Sequence, residues 1–166
     1  MRRFALAALA AITFTAGAAL GANEVKWETA APVADYLTTE LDSLASAGNK
    51  LGAAIDNRDG SRFLAVQIHV ATQGSARSAS AHFAVYLIPT VDDSVYFLGD
   101  DALDPPATFL VCSAPLDAAT TARDTGCWNI ALPGLQFKLL IENNTGQALA
   151  ASGNTVDYVL SNEELQ

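Results

Sequence analysis

LQFKLLIE, residues 135–142, and TVDYVLS, residues 155–161, alternate apolar and polar side chains with a period of two. In an extended strand successive side chains point to opposite faces, so this period marks strands with one buried side. Leu135, Phe137, Leu139 and Ile141 share one face of the first stretch, and Val156, Tyr158 and Leu160 share one face of the second. The reading places Phe137, Leu139, Ile141, Tyr158 and Leu160 in one core, on adjacent strands. Leu140 and Val159 put apolar surface on the opposite faces as well, which calls for a further layer or a neighbouring subunit there.

Working back from these stretches, the same short-run pattern recurs at Leu51 to Ile55, Phe63 to Thr72, His82 to Pro89, Val95 to Leu98, Thr108 to Ser113 and Cys127 to Leu132. Turn formers separate the runs at Asn57 to Ser61, Gly74 to Ser80, Asp92 to Ser94, Pro105 to Pro106, Pro133 to Gly134 and Asn143 to Gly146. Eight short strands without intervening helices predict a mainly β sandwich or barrel over residues 51–166. Ahead of it, in a linker region over 23–50, Pro32 to Ala47 carries Val33, Tyr36, Leu37, Leu41 and Leu44 at three- and four-residue spacing. That spacing predicts one short amphipathic helix ending at Gly48 and Asn49, with its stripe packed on the β domain.

Residues 1–22 read MRRFALAALAAITFTAGAALGA: two arginines, an uncharged run, then small residues. This is the grammar of an export signal cleaved after Ala22. The competing reading is an apolar assembly arm that lays Phe4, Leu6, Leu9, Ile12, Phe14 and Leu20 in a groove between subunits. A membrane anchor fits poorly, because the run is short and built largely from Ala, Gly and Thr.

Length and composition narrow the function classes. A chain of 166 residues fits one domain, and 51% hydrophobic against 16% charged residues argues for extensive burial within the fold or between copies. Nine basic against eighteen acidic residues give a net charge of −9. With no basic patch to oppose that field, nucleic acid is excluded as a partner, and a membrane enters only if residues 1–22 are an export signal. Cys112 and Cys127 are too few for a structural zinc site. They form a disulfide across a hairpin or remain two buried thiols.

Residues that carry chemistry are sparse. His69 and His82 each sit in an alternating strand between apolar neighbours, the setting of a solvent-facing or hydrogen-bonded histidine. No nucleophile elbow, HExxH helix, phosphate-binding loop or dinucleotide fingerprint occurs, so no catalytic residues, metal ligands or cofactor-binding residues are assigned and no cofactor is expected. Asp56, Asp59, Asp92, Asp93, Asp100, Asp101 and Asp104 crowd the loops, but DNRDG, residues 56–60, lacks the ligand spacing of a calcium loop. Turn formation and solvated charge account for them equally well. Asn143, Asn144 and Thr145 match the N-glycosylation pattern, yet the run reads better as a tight strand connection. Trp27 and Trp128 are expected in the core.

The final run, LQFKLLIENNTGQALAASGNTVDYVLSNEEL, resembles the C-terminal part of small virion structural proteins of tailed bacteriophages. In that group an apolar strand is followed by an Asn-rich turn with Thr-Gly, then Ala-Leu-Ala-Ala-Ser-Gly-Asn-Thr, a last strand and a short acidic tail. Here these fall at Leu135 to Glu142, Asn143 to Gly146, Ala148 to Thr155, Val156 to Ser161 and Asn162 to Glu164. AVYLIPTVDDSVYF, Ala84 to Phe97, is similar to an earlier strand, turn and strand of the same group.

The resemblance implies an antiparallel jelly-roll-like β-sandwich in a virion, as a capsid decoration protein or a head or tail accessory. Its partners would be other copies of itself and other virion proteins, and it implies no catalytic residue. The alternative is a secreted or periplasmic binding module for carbohydrate or a surface protein, with Trp27 or Trp128 and the Asp loops at its site. An intact Met1 in the purified protein separates the first from the second, whose chain would start at Asn23.

Overall fold

In the computed structural model, which describes residues 25–29 and 31–165, the regular secondary structure is almost wholly antiparallel β. In chain order the strands are β1 (Val25–Thr29), β2 (Val33–Leu37), β3 (Asn49–Ile55), β4 (Phe63–Val70), β5 (His82–Pro89), β6 (Leu110–Pro115), β7 (Arg123–Ala131), β8 (Phe137–Asn144) and β9 (Thr155–Leu165). One sheet has the order β1-β9-β4-β7, with β2 also paired to β9, and the other has the order β3-β8-β5-β6. The two sheets share one core in a β-sandwich-like arrangement.

Strict alternation builds that core. From the first sheet Leu64, Val66, Ile68, Val70, Ile130 and Val156 point inward, and Phe83, Val85, Leu87, Phe137, Leu139 and Ile141 meet them from the second. Tyr158 and Leu160 pack against the cluster, half-buried. The expected core set is therefore inside, but its strands are not neighbours: β8 lies between β3 and β5, whereas β9 lies in the opposing sheet. Alternation specifies which face is buried and leaves the hydrogen-bonding partner open.

The helix expected over Pro32 to Ala47 is replaced by β2, a 3-10 turn at Thr39–Leu41 and irregular chain. Leu37 and Leu41 are buried as the stripe demanded. The backbone differs because the edge of β9 offers unpaired N–H and C=O groups, and a lone short helix is marginal in water. Ser43 and Ala47 adopt positive φ, which no helix tolerates in its interior. Tyr36 ties the segment down: its ring meets Tyr158 edge-on at 5.2 Å, and its hydroxyl donates to Ala53 O and accepts from Leu139 N–H. The sandwich thus begins ahead of residue 51.

Three further expectations are corrected. Val95 to Leu98 forms no strand, only an isolated bridge between Thr90 and Tyr96. Asn162 to Glu164 is no free tail, because β9 runs on to Leu165 and pairs with β1. Cys112 and Cys127 are joined, with Cα atoms 6.2 Å apart, but not across a hairpin: β6 and β7 are edge strands of opposite sheets, and the disulfide clips those edges together. Residues 1–22, with the proposed signal or arm residues Phe4, Leu6, Leu9, Ile12, Phe14 and Leu20, lie outside the described residues.

Candidate interaction surfaces

The residues singled out for chemistry are engaged locally. His69 Nδ1 lies 2.8 Å from Asp124 Oδ1, and this contact holds the Asp124 carboxyl below the usual range. His82 Nδ1 lies 3.0 Å from Ser80 O. Among the described residues no three His, Cys, Asp or Glu side chains gather as a metal site would require. Asn143 is fully buried, its amide donating to backbone carbonyls of Leu44, Ala45 and Gln147, so the folded chain withholds it from glycosylation. At one end of the sandwich the buried guanidinium of Arg77 donates to Asp117 Oδ1 at 2.8 Å and to backbone carbonyls of Asp117 and Thr121.

The acidic loops form a roof. Between β5 and β6 the chain leaves the sheet at Thr90 and returns near Pro106, crossing the outer face of the second sheet. Asp92 Oδ1 accepts the N–H groups of Ser94 and Val95, and these bonds pull its carboxyl down to about 2. Asp100 Oδ1 accepts those of Ala102 and Leu103. Three carboxylates tie the roof to the sandwich: Asp93 to Arg58, Asp101 to Lys50 Nζ and Leu51 N–H, and Asp104 to Asn49. Burial pushes Asp101 up, but those two donors outweigh it and hold the carboxyl below the usual range. The Tyr96 ring lies 4.2 Å beneath Lys138 Nζ.

Beneath the roof, Ile88 and Leu140 point away from the shared core and are nevertheless fully buried. Gly99 permits the close approach. A Cβ there would stand 3.0 Å from Pro105 and 3.1 Å from Ile88, and its φ of 143° suits glycine.

The roof exposes apolar side chains. Of the nine exposed large hydrophobic side chains among the described residues, seven lie between residues 91 and 111: Val91, Val95, Phe97, Leu98 and Leu103 on the roof, and Leu110 and Val111 at the start of β6. Val91, Val95 and Phe97 line one depression of about 210 Å3, and Phe97 meets Phe109 with ring centroids 5.6 Å apart. Solitary exposed apolar residues are ordinary, whereas this concentration makes the segment a candidate interaction surface. The sequence signal was a run of large apolar residues among turn formers, without the alternation that would bury them.

Among the described residues no roof covers the outer face of the first sheet, and Trp128 stands on it 70% exposed, contrary to its expected place in the core. A bulge puts it there. Cys127 and Ile130 are both buried, with Trp128 and Asn129 exposed between them, the register against β4 slips between Leu64 and Val66, and Asn129 takes a φ of 55°. Alternation from a buried Cys127 turns Trp128 outward, and the bulge then lets Ile130 return to the core. Next to the bulge a Cβ on Gly126 would lie 2.2 Å from Val66 O, so the two strands approach as only glycine allows.

Trp128 lines two depressions. One, of about 160 Å3, is lined by Pro32, Ala65, Gln67, Asp157 and Val159, and the other, of about 240 Å3, by Gln67, Asp124 and Thr125. Trp27 lies on β1, whose side chains are outside those described. Compared with family models, curated proteins and solved structures, the chain matches none.

Proposed function

We propose that this chain is a non-enzymatic structural component of a tailed-bacteriophage virion. It binds and reinforces the particle as a homo-oligomer, in the role of capsid decoration or head or tail accessory. The observation that carries the reading is the apolar belt of residues 91–111, exposed on the start of β6 and on a roof tied down by Asp93, Asp101 and Asp104. Covering a large apolar side chain gains about 1.5–3 kcal/mol, and several such gains offset an association cost of roughly 4–15 kcal/mol. A belt held in a fixed shape loses little further entropy on docking, which favours assembly over a mobile loop of the same composition.

Two further features support it. The orders β2-β9-β4-β7 and β3-β8-β5-β6 are what a jelly roll of eight strands requires, so the jelly-roll-like reading is the finer description we adopt. The resemblance of Leu135 to Glu164 to virion proteins falls on β8, the connection after it and β9, the parts that knit the two sheets.

Sedimentation velocity over a range of concentrations tests the reading. The full chain should sediment as a defined oligomer, and Val95→Glu with Phe97→Glu should return it to a monomer with an unchanged melting curve. A wild-type chain that stays monomeric at every concentration would defeat the proposal.

A further inference from the structure

A tryptophan that is 70% exposed on a flat sheet forgoes the burial that its large ring could gain, unless something covers it. Trp128 is held out deliberately in the mechanical sense. The bulge that exposes it is fixed on one side by the disulfide at Cys127 and on the other by Ile130 in the core. Its indole N–H has no hydrogen-bond partner among the described residues.

What surrounds the ring distinguishes it from the apolar belt. Gln67 is exposed and lines both depressions. Asp157 lies in one, with Oδ1 accepting Asp35 N–H at 2.7 Å, and Asp124 lies in the other, braced by His69. Thr125 belongs to the inner side, since its hydroxyl donates to Pro115 O. A flat aromatic surface bordered by a carboxamide and two carboxylates is poorly suited to an apolar partner, which would leave those polar groups desolvated and unpaired. It suits a ligand with an apolar face and a hydroxyl-rich edge.

From this juxtaposition we infer that the outer face of the first sheet is a binding site for a neutral oligosaccharide. The C–H face of one pyranose stacks on Trp128, and hydroxyls on either side donate to Asp157 and Asp124 and exchange hydrogen bonds with Gln67. Two depressions that share Trp128 and Gln67 offer more room than one sugar fills, which fits a chain. Neutral glycans are specified by charge, because a net charge of −9 and two carboxylates at the site repel uronates and phosphorylated sugars. This site is separate from the belt of residues 91–111 and does not depend on the virion reading. The Asp loops take no part in it, since they are spent on the roof.

The experiment titrates the full chain with maltohexaose, cellohexaose, chitohexaose, mannohexaose, laminarihexaose and a galacturonate hexamer, each up to about 10 mM, a range that captures Kd values at the weak end of specific binding. Calorimetry gives the affinity, and the indole N–H resonance of Trp128 reports the location. At least one neutral member should bind and shift that resonance. Trp128→Ala should weaken it by about ten-fold or more, the loss expected of one hot-spot side chain. Trp128→Tyr should retain part of the affinity, Gln67→Ala should lower it, and the belt variant with Val95→Glu and Phe97→Glu should bind as the wild type does. An unchanged melting curve for Trp128→Ala would show that the loss is local. The inference is overturned if no neutral member binds, if the galacturonate binds best, if Trp128→Ala binds normally, or if self-association without sugar buries the indole.

Discussion

The two sheets have similar strand numbers and opposite fates on their outer faces. Behind the second, Ile88 and Leu140 are sealed under an excursion of the chain, and the apolar surface reappears one layer further out. Behind the first, Ala65, Gln67, Asp157 and Val159 remain the surface, with Trp128 standing above them. The difference shows how a sandwich can bury a third layer on one side and still present two distinct exposed surfaces, one apolar and broad, the other aromatic with a polar rim. The carboxylates divide accordingly: those of the roof hold its backbone N–H groups, Lys50, Arg58 and Asn49, while Asp157 and Asp124, braced by Asp35 N–H and His69, border Trp128 together with the Gln67 carboxamide.

The largest expected contrast is in stability. Leu140→Ala, under the roof, should cost about 2–5 kcal/mol, whereas Val159→Ala on the open face should cost under about 1 kcal/mol. Denaturant unfolding decides it, and equal losses would erase the distinction between the faces. Next comes the tie itself: Asp101→Ala removes acceptors for Lys50 Nζ and Leu51 N–H and should cost about 1 kcal/mol, with faster amide exchange confined to the roof.

A smaller effect is read by pH. Asp92 has its carboxyl pulled down to about 2 from 3.8 by the amides of Val95 and Ser94, so its contribution to folding is complete above pH 3.8 and is lost as pH falls through about 2. The Ser94 and Val95 amide resonances should titrate with a midpoint near 2, and a midpoint near 3.8 would mean that the turn is not held as described. Smallest of all, Trp128→Ala should change stability by less than about 0.5 kcal/mol, because the ring is mostly in water already. A loss of several kcal/mol would place Trp128 in the fold's support and not in its display.

Much of the sandwich was readable from residue types. The inward faces of β4, β5, β8 and β9 follow from alternation, and Phe137, Leu139 and Ile141 are buried as their spacing required. What alternation could not supply is partnership. The β8 and β9 faces meet across the core rather than side by side, and Cys112 and Cys127 meet between sheets, because both depend on how connections cross the sandwich. The segment after Pro32 was misread since its spacing serves a helix or a strand followed by a tight turn, and only the open edge of β9 chooses between them. The roof was invisible for a related reason: Val91 to Leu103 has no periodicity, its order coming from Asp side chains that fold the backbone back on itself.

On the proposed function, the chain assembles through the roof and not through the open face. Hydroxyl-radical footprinting of the assembled oligomer, compared with the monomeric variant carrying Val95→Glu and Phe97→Glu, tests it residue by residue. Val91, Leu98, Leu103 and Leu110 should be protected in the oligomer while Trp128 stays as reactive as in the monomer. Protection of Trp128 with an unprotected roof would contradict it.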